Sequence, residues 1–342
     1  MSSKLAQRAS WEAGLGGLTK QLFRSVPQVP ANISLRGQTA LITGASSGLG
    51  LESARQFLEK GLSLIILGVR SQQKGEAAAN KLRVDFPNAD VQVWIVDMES
   101  AASVRSFAAK CETLHRIDTV ILNAGTGNTV FRRADGGKGR EATLQVNYLN
   151  TVLLATLLLP TLAAKGPTSD RPARLTLVGS DSAHQATVER TPTGILDSFD
   201  REDNFDPMKT YASTKLILHM FVAKLAEIVD PDVVIVNVVN PGAVKGTNLV
   251  PDQDGLSAIR VVLWVVYTFL ARHVSDGARQ YMLATQAMGK ESHGSLVDFK
   301  IRPWSPIMYT DKGWTLINDL WSETLAELEI KDISKSLGAA AV

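Results

Sequence analysis

A tyrosine and a lysine spaced one helical turn apart give the clearest sign of chemistry in this sequence. Tyr211 and Lys215 stand four positions apart in a Tyr-Ala-Ser-Thr-Lys run, so on a helix both side chains share one face. A phenol has a pKa of about 10 and becomes a useful proton donor near neutrality only when its anion is stabilised, for example by a neighbouring ammonium. The pair therefore predicts acid–base catalysis, although a single Tyr-x-x-x-Lys also arises by chance.

A glycine-rich turn lies far upstream and predicts a phosphate-binding site. Gly44, Gly48 and Gly50 stand in the run Gly-Ala-Ser-Ser-Gly-Leu-Gly. Such a turn lets backbone amides approach a pyrophosphate, and a helix that begins at Leu49 adds a favourable dipole. The alternative is a tight turn that only packs a helix closely against a strand.

Apolar runs alternate with helical patterns along most of the chain. Strands are predicted at 39–42, 62–69, 91–96, 119–123, 173–179 and 233–239, and helices at 49–60, 73–84, 145–162 and 211–228. This alternation predicts an α/β fold: a single Rossmann-type doubly wound parallel sheet with helices on both faces. Ligands of such sheets bind beyond the carboxyl ends of the strands. The residues at those predicted ends are Gly44, Arg70, Asp97, Asn123, Ser180 and Asn240.

The composition excludes several classes of protein. Hydrophobic residues make up 45% of the 342 residues and charged residues 20%, as in a globular protein with a large core. A net charge of +2 is too small to indicate nucleic-acid binding. The single cysteine, Cys111, cannot form an intrachain disulfide, which favours a reducing compartment such as the cytoplasm. The five histidines lack metal-binding spacing, so no metal is expected.

Neither a secretory signal nor a stable membrane span is expected. The N-terminus reaches no apolar stretch before Pro27. The longest apolar run, 261–271, has eleven residues, whereas a spanning helix needs about 20. A buried helix is the simplest interpretation of this run, with the lining of an apolar substrate entrance or transient membrane contact as alternatives.

The order of the motifs resembles that of the short-chain dehydrogenase/reductase family over roughly residues 36 to 330. The matching elements are Thr43-Gly44-x-x-x-Gly48-x-Gly50, Asp97, Asn123-Ala124-Gly125, Asn147, Ser180, Tyr211-x-x-x-Lys215 and Asn240-Pro241-Gly242. Each element is common alone, whereas the ordered set is specific. Stretches such as Gly68-Val69-Arg70 and Glu291-Ser292-His293-Gly294 further resemble the retinol-dehydrogenase-like branch, especially reductases of fungal secondary metabolism.

The resemblance implies four catalytic residues. Tyr211 would exchange a proton with the substrate, while Lys215 would lower the pKa of that phenol and hold the ribose of a nicotinamide cofactor. Ser180 would hydrogen-bond the substrate carbonyl and the alkoxide that develops from it. Asn147 would support a water-linked proton path.

Arg70 carries the predicted choice of cofactor. NAD-binding Rossmann sites place an Asp or Glu at the end of the second strand, where it accepts hydrogen bonds from the ribose 2′-hydroxyl. Here Val69 takes that place and Arg70 follows it. A guanidinium forms charge-assisted hydrogen bonds with a 2′-phosphate, so Arg70 is predicted to select NADP(H), assisted by Ser46 and Lys74. The alternative is a solvated surface arginine.

The remaining cofactor contacts are implied by the resemblance. Asp97 would bind the adenine amine and Asn123 the adenosine ribose, roles compatible with capping strand ends. The turn at Val244 would meet the nicotinamide carboxamide, but the threonine that usually assists stands one position late, at Thr247. The residues predicted to contact the cofactor are Gly44, Ser46, Ser47, Gly48, Leu49, Gly50, Arg70, Asp97, Asn123, Tyr211, Lys215, Val244 and Thr247.

One domain with two long loops is expected, because no linker or shift of composition divides the chain. Residues 1–35 are predicted as an N-terminal extension, 36–310 as the Rossmann domain and 311–342 as a C-terminal helix and tail. Segments 185–208 and 243–275 are predicted substrate loops. The first is interpreted as a solvated loop or, from its position, as a substrate lid. Its carboxylates are Asp197, Asp200, Glu202, Asp203 and Asp206.

The residues and the resemblance together predict an NADP(H)-dependent oxidoreductase. It would reduce a ketone or aldehyde of an apolar substrate, such as a secondary metabolite, to an alcohol. Two alternatives stay open: a cofactor-retaining isomerase, dehydratase or cyclase, and a non-catalytic scaffold. Helices 145–162 and 211–228 resemble those of the family's dimer interface, which implies a homodimer or tetramer, although their leucines could equally face the sheet.

Overall fold

An eight-stranded sheet organises the described part of the chain. The computed structural model describes residues 3–13, 26–167, 171–245, 271–331 and 333. The strands are β1 (Thr39–Thr43), β2 (Leu64–Val69), β3 (Asp90–Ile95), β4 (Thr119–Leu122), β5 (Ala173–Val178), β6 (Val234–Val239), β7 (Leu296–Asp298) and β8 (Lys300–Arg302). Their order is β3-β2-β1-β4-β5-β6-β7-β8, and every pairing is parallel except that of β7 with β8.

Helices cover both faces of this sheet, which explains its apolar strands. They are α1 (Ser3–Ala13), α2 (Gly48–Glu59), α3 (Gln72–Asp85), α4 (Ala101–Cys111), α5 (Ala142–Lys165), α6 (Pro207–Leu225), α7 (Val274–Met282) and α8 (Asp311–Glu327). One core packs α4, α5, α6 and α8 with sheet residues, and a second core packs α2, α3 and α7. Every residue of β1 and β6 is buried. The predicted Rossmann-type doubly wound sheet is confirmed.

The sequence prediction lacks two short strands, β7 and β8, and three helices, α1, α4 and α7. Strands β7 and β8 have three residues each, too few for an apolar–polar alternation to indicate a strand. Helix α4 does have a start signal, because the Ser100 side chain accepts a hydrogen bond from the Ser103 amide at 3.4 Å. A serine before an amphipathic run is a usual N-cap, so this helix could have been predicted.

Helices α5 and α6 are enclosed by the chain itself. Residues 142–156 of α5 and 213–222 of α6 are all buried. Helix α8 covers them: the hydroxyl oxygens of Tyr148 and Thr324 are 2.6 Å apart, and the rings of Phe221 and Trp321 stack with centroids 4.8 Å apart. The leucines of α5 thus lie mostly in the core, as the alternative interpretation of this helix expected. The homodimer or tetramer that the resemblance implied stays a prediction.

Among the described residues, one helix is long and apolar enough to cross a bilayer. It is α5, and 83% of its most apolar window is buried inside the protein. Its apolar composition is that of a helix surrounded by core. The apolar run 261–271 lies outside the described residues except for Ala271, so its interpretation stays an expectation.

Helix α1 of the N-terminal extension packs at the β8 edge of the sheet. Glu12 of α1 is buried and forms an ion pair with Arg302, which also binds Asp298 at 2.7 Å. The side chain of Gln185 donates a hydrogen bond of 3.1 Å to the carbonyl of Ala13. Helix α1 therefore lies at the start of the loop 185–208, while the predicted domain boundaries stay predictions.

Candidate active site

The glycine turn closes tightly between β1 and α2. Gly44 has a φ of +66°, a backbone conformation that favours glycine. A Cβ on Gly50 would lie 2.5 Å from the Gly44 carbonyl oxygen and 2.7 Å from Nδ2 of Asn123. The Ser47 side chain forms no capping hydrogen bond with the first turn of α2. The turn thus packs the helix closely against the strand, as the structural alternative expected. Because the Ser47 side chain does not bind the first amides of α2, these amides are also available to bind an anion.

Asn123 joins the ends of β1 and β4. Its Nδ2 donates a 2.8 Å hydrogen bond to the Thr43 carbonyl, and its Oδ1 accepts one of 2.8 Å from the hydroxyl of Tyr281. Burial raises the pKa of Tyr281, which keeps this hydroxyl a donor. Both ends of the Asn123 amide are therefore engaged within the protein. This is the strand-capping role, and contact with a cofactor ribose stays a prediction.

Helix α6 carries Tyr211 and Lys215 on one face, as predicted. The Nζ atom of Lys215 lies 5.8 Å from the centroid of the Tyr211 ring. The prediction that Tyr211 begins the helix is wrong, because α6 begins at Pro207. Asp206 caps the helix by accepting hydrogen bonds of 2.8 and 2.9 Å from two amides of the first turn. An aspartate followed by proline is a helix start signal, and it stands in the sequence.

The end of β5 brings Ser180 close to the buried lysine. Lys215 donates a hydrogen bond of 2.9 Å to the carbonyl of Val178, two residues before Ser180. Oγ of Ser180 accepts hydrogen bonds from the amide and the hydroxyl of Ser182, at 3.2 and 2.9 Å. Since Ser180 accepts both, its own hydroxyl proton can be donated to another group. Two elements thus bring the predicted Ser, Tyr and Lys to one edge of the sheet.

Asn147 lies in a π-helical turn of α5, Gln145–Leu149. Such turns inside α-helices are frequent at functional sites. Its side-chain amide forms two hydrogen bonds of 2.8 Å with the backbone of Thr126, and its Nδ2 also donates to Oγ1 of Thr214 at 3.3 Å. Asn147 therefore fixes the loop after β4 next to the helix of Lys215. Its part in a proton path stays a prediction.

The end of β2 presents Arg70 to solvent. Val69 is buried, whereas the Arg70 side chain is 71% exposed and has Oε1 of Glu99 at 3.4 Å. Asp97 follows β3, and its Oδ1 accepts a hydrogen bond of 3.0 Å from the Glu99 amide. An exposed guanidinium at this edge is placed as the hypothesis of phosphate binding requires, and that role stays a proposal.

Helix α7 packs the predicted nicotinamide turn against the glycine turn. The backbone on either side of Val244 pairs with Arg272 through hydrogen bonds of 2.8 and 2.9 Å. A Cβ on Gly277 of α7 would lie 2.6 Å from Cγ2 of Val244 and 2.7 Å from Cδ2 of Leu49. The two predicted cofactor residues are therefore neighbours. Thr247 lies outside the described residues, so its predicted contact stays an expectation.

Carboxylates tie the loop 185–208 to the protein. Arg140 binds Asp197 at 2.5 Å and Asp200 at 2.8 Å. It also binds Glu327 of α8 at 2.8 Å. A guanidinium that serves three carboxylates fixes its partners in place. For Asp197 and Asp200 the prediction of a solvated loop is therefore wrong.

The stretch after Asp200 in the same loop is exposed, and the loop borders a pocket at the start of α6, the helix that carries Tyr211. Residues 201–204 are all exposed, which includes the carboxylates Glu202 and Asp203. The pocket lies between this segment and the start of α6. Its lining includes Thr187, Phe199, Phe205, Lys209, Thr210 and Ser213. The loop therefore has an anchored part and an exposed part next to the candidate site.

Sequence reasoning missed Tyr281 and Arg140. Tyr281 stands 158 positions from its partner Asn123, and Arg140 stands 57 positions from Asp197. No local pattern marks such long-range partners, since motifs report only nearby spacing. Among the residues that the structure describes, no group of three or more His, Cys, Asp or Glu could hold a metal ion.

Known proteins resemble this chain in sequence. Residues 38–191 match the model of the short chain dehydrogenase family. The short chain dehydrogenase virL of Hypocrea virens is 46% identical over 344 residues, covering 98% of this chain and 98% of virL. The short chain dehydrogenase/reductase mfmJ of Annulohypoxylon moriforme is 42% identical and covers 91% of this chain and 90% of mfmJ.

Solved structures share the fold at lower identity. The L-sorbose reductase of Gluconobacter frateurii, complexed with NADPH and L-sorbose, matches with a TM-score of 0.58 and 24% identity, covering 79% of this chain and 98% of the reductase. An NADPH-bound short chain oxidoreductase of Pseudomonas aeruginosa matches with a TM-score of 0.56 and 22% identity, covering 78% and 96%. Sequence identity above 40% over almost the whole length settles the family: the chain belongs to the short-chain dehydrogenases.

Proposed function

We propose that the protein is an NADP(H)-dependent reductase that converts a ketone or aldehyde of an apolar organic substrate into an alcohol. The observation that carries the proposal is that Lys215 lies 5.8 Å from the Tyr211 ring and binds the carbonyl of Val178, two residues before Ser180 at the carboxyl end of β5. A proton donor, a cation and a hydroxyl at one edge suit reduction of a carbonyl group. Both solved structures described above were determined with NADPH, which supports the same cofactor here.

The residues present fit a dinucleotide phosphate. A side chain on Gly50 would collide with the Gly44 carbonyl, so the turn keeps its backbone open to a pyrophosphate. The first turn of α2 is not capped by the side chain of Ser47, and Arg70 extends into solvent at the end of β2. When bound, NADPH supplies the hydride that reaches the carbonyl carbon.

The chain's own residues handle the substrate oxygen and its proton. Ser180 donates a hydrogen bond to the carbonyl oxygen and stabilises the negative charge that develops there. As the C=O π electrons move to that oxygen, Tyr211 transfers its phenolic proton to it, which yields the alcohol. The ammonium of Lys215 stabilises the phenolate that Tyr211 becomes. Proton exchange with solvent then restores the phenol.

An apolar substrate suits the surface around the candidate site. Phe205 in the exposed part of the loop 185–208 packs edge-on against Phe131, with ring centroids 5.8 Å apart. Two exposed apolar side chains are close to these phenylalanines in the sequence: Met208 follows Phe205 by three positions, and Val130 precedes Phe131. Aromatic and aliphatic side chains bind apolar molecules by removing their surface from water. We therefore propose a compound of the kind made in secondary metabolism rather than a sugar.

The proposed function is tested with purified protein, NADPH and a panel of apolar ketones and aldehydes. Loss of NADPH absorbance, matched mole for mole by alcohol in the product mixture, is expected for at least one carbonyl compound. Conversion of a substrate with no net change in NADPH would instead identify a non-redox enzyme. The L-sorbose ketone serves as a polar comparison and is expected to react poorly.

Reductase activity is expected to fall as the pH rises through about 8. Burial lowers the pKa of Lys215 to about 8, because a buried site disfavours the ammonium. Below this pH Lys215 carries the charge that stabilises phenolate at Tyr211, and above it the charge is lost. The measurement is kcat/KM for NADPH against pH, which reports groups of the free enzyme. A constant value through this range, with the fold intact by circular dichroism, would contradict the role of Lys215.

A further inference from the structure

Two arginines approach one carboxylate at the edge of the sheet where the cofactor phosphate is proposed to bind. Glu99 follows β3, Arg70 follows β2 and Arg132 lies in the loop after β4. Arg132 donates to both carboxylate oxygens of Glu99, at 2.7 and 2.8 Å. Arg70 makes a single contact with Glu99, at 3.4 Å. The two arginines therefore bind the same carboxylate very unequally.

The geometry makes Arg132 the main partner of Glu99. A bidentate guanidinium–carboxylate pair is the stronger and more directional arrangement. Arg132 is 40% exposed and Glu99 18% exposed, and Nε of Arg132 also donates to Oδ1 of Asn128 at 3.3 Å. Hydrogen bonding from Arg132 lowers the pKa of Glu99, so this carboxylate is ionised at neutral pH. The Arg70 side chain is 71% exposed and makes only one long contact with Glu99.

An ionised carboxylate beside Arg70 would oppose a cofactor phosphate in two ways. It would compete for the Arg70 guanidinium, and it would repel the phosphate itself, since like charges at close range are unfavourable. Arg132 removes both effects by supplying the positive charge and both hydrogen bonds that Glu99 requires. Arg70 then keeps its donors for another anion.

We propose that Arg132 sets the preference for NADP(H) by neutralising Glu99, so that Arg70 can bind the 2′-phosphate. Arg132 is a positioning residue, because it acts through Glu99 and Arg70 and does not touch the cofactor. This inference rests on the proposed function, which includes NADP(H) as cofactor. Without Arg132, Arg70 would pair with Glu99 and would be less available to the 2′-phosphate. The negative charge of Glu99 would also repel the phosphate.

The test is a double-mutant cycle read by calorimetric titration with NADPH and with NADH. Arg132→Met keeps the aliphatic stem, and it is expected to weaken NADPH binding about tenfold while NADH binding changes less than about twofold. Glu99→Gln removes the carboxylate charge but keeps the side-chain shape. In the double variant Arg132→Met with Glu99→Gln, NADPH affinity is expected to return to within about twofold of that of the Glu99→Gln variant.

Other results would overturn the inference. If the loss of NADPH affinity persists in the double variant, Arg132 contacts the phosphate directly. An equal loss for NADH and NADPH would mean that Arg132 only maintains the fold, and no loss would mean that it has no role. The matched control is Arg133→Met, which removes the same charge at the next position, where the guanidinium faces Asp200 at 3.5 Å. Equal binding of NADH and NADPH by the unmodified chain would refute the proposed preference for NADP(H). That result is distinguishable from a failure of the Arg132 inference, which is read from the variants.

Discussion

Replacing Tyr211 with phenylalanine is expected to lower kcat for carbonyl reduction by roughly 10²- to 10⁴-fold, the range for loss of a general acid. The substitution removes one hydroxyl and keeps the ring that lies 5.8 Å from Nζ of Lys215. Lys215 stays bound to the Val178 carbonyl, so the helix and the end of β5 keep their arrangement. NADPH affinity is expected to change less than about threefold, because most cofactor contacts lie elsewhere.

A second tyrosine supplies the matched control for that prediction. The substitution Tyr148→Phe also removes one phenolic hydroxyl. In the unmodified protein this hydroxyl lies in the core, 2.6 Å from Oγ1 of Thr324 in α8. Tyr148→Phe is expected to lower the free energy of unfolding by about 1 kcal/mol and to leave kcat unchanged. If Tyr211→Phe retains most of the kcat of the unmodified enzyme, Tyr211 is not the proton donor. A scaffold protein would show no turnover in either form.

Replacing Arg70 with alanine is expected to weaken NADPH binding roughly 10- to 100-fold, because a hydrogen bond to a charged group contributes about 1.5–3 kcal/mol. NADH has no 2′-phosphate, so its affinity is expected to change less than about twofold. The effect should shrink with added salt, since the Arg70 side chain is 71% exposed and exposed charges are screened. Calorimetry at low and at physiological ionic strength measures both quantities.

Lys81 offers the control for the loss of one positive charge. It is exposed on α3, the helix that follows Arg70. Lys81→Ala is expected to leave both affinities unchanged, because a solvated charge farther along the helix interacts weakly with the phosphate. An Arg70→Ala variant that still prefers NADPH to the same degree would show that Arg70 is the solvated surface arginine of the simpler interpretation.

The core strands could be predicted because burial on both faces leaves a local mark. Strands β1 and β6 are near-continuous apolar runs in the sequence and are buried at every residue. The glycine turn and the Tyr211–Lys215 pair could also be predicted, since each depends on spacing within one element. The ordered set then led to the family that the relatives confirm.

Other features depend on partners that are distant in the sequence. Strand β7 has three residues and forms because β6 provides a parallel neighbour. Arg140 is one arginine among many until the fold brings Asp197 and Glu327 to it. The covering of α5 and α6 by α8 likewise depends on tertiary packing between elements that are distant in the sequence. By contrast, the Asp206–Pro207 start of α6 was a local signal that the sequence carried.

Titration of the unmodified protein with NADPH and with NADH tests the central claim most directly. Calorimetry is expected to show binding of both dinucleotides at the glycine turn, with NADPH tighter by at least about tenfold because of the charge-assisted contact of Arg70. Tighter binding of NADH would contradict the role of Arg70 and favour alcohol oxidation. Binding of neither would contradict the reductase itself, whatever the arrangement of Tyr211 and Lys215.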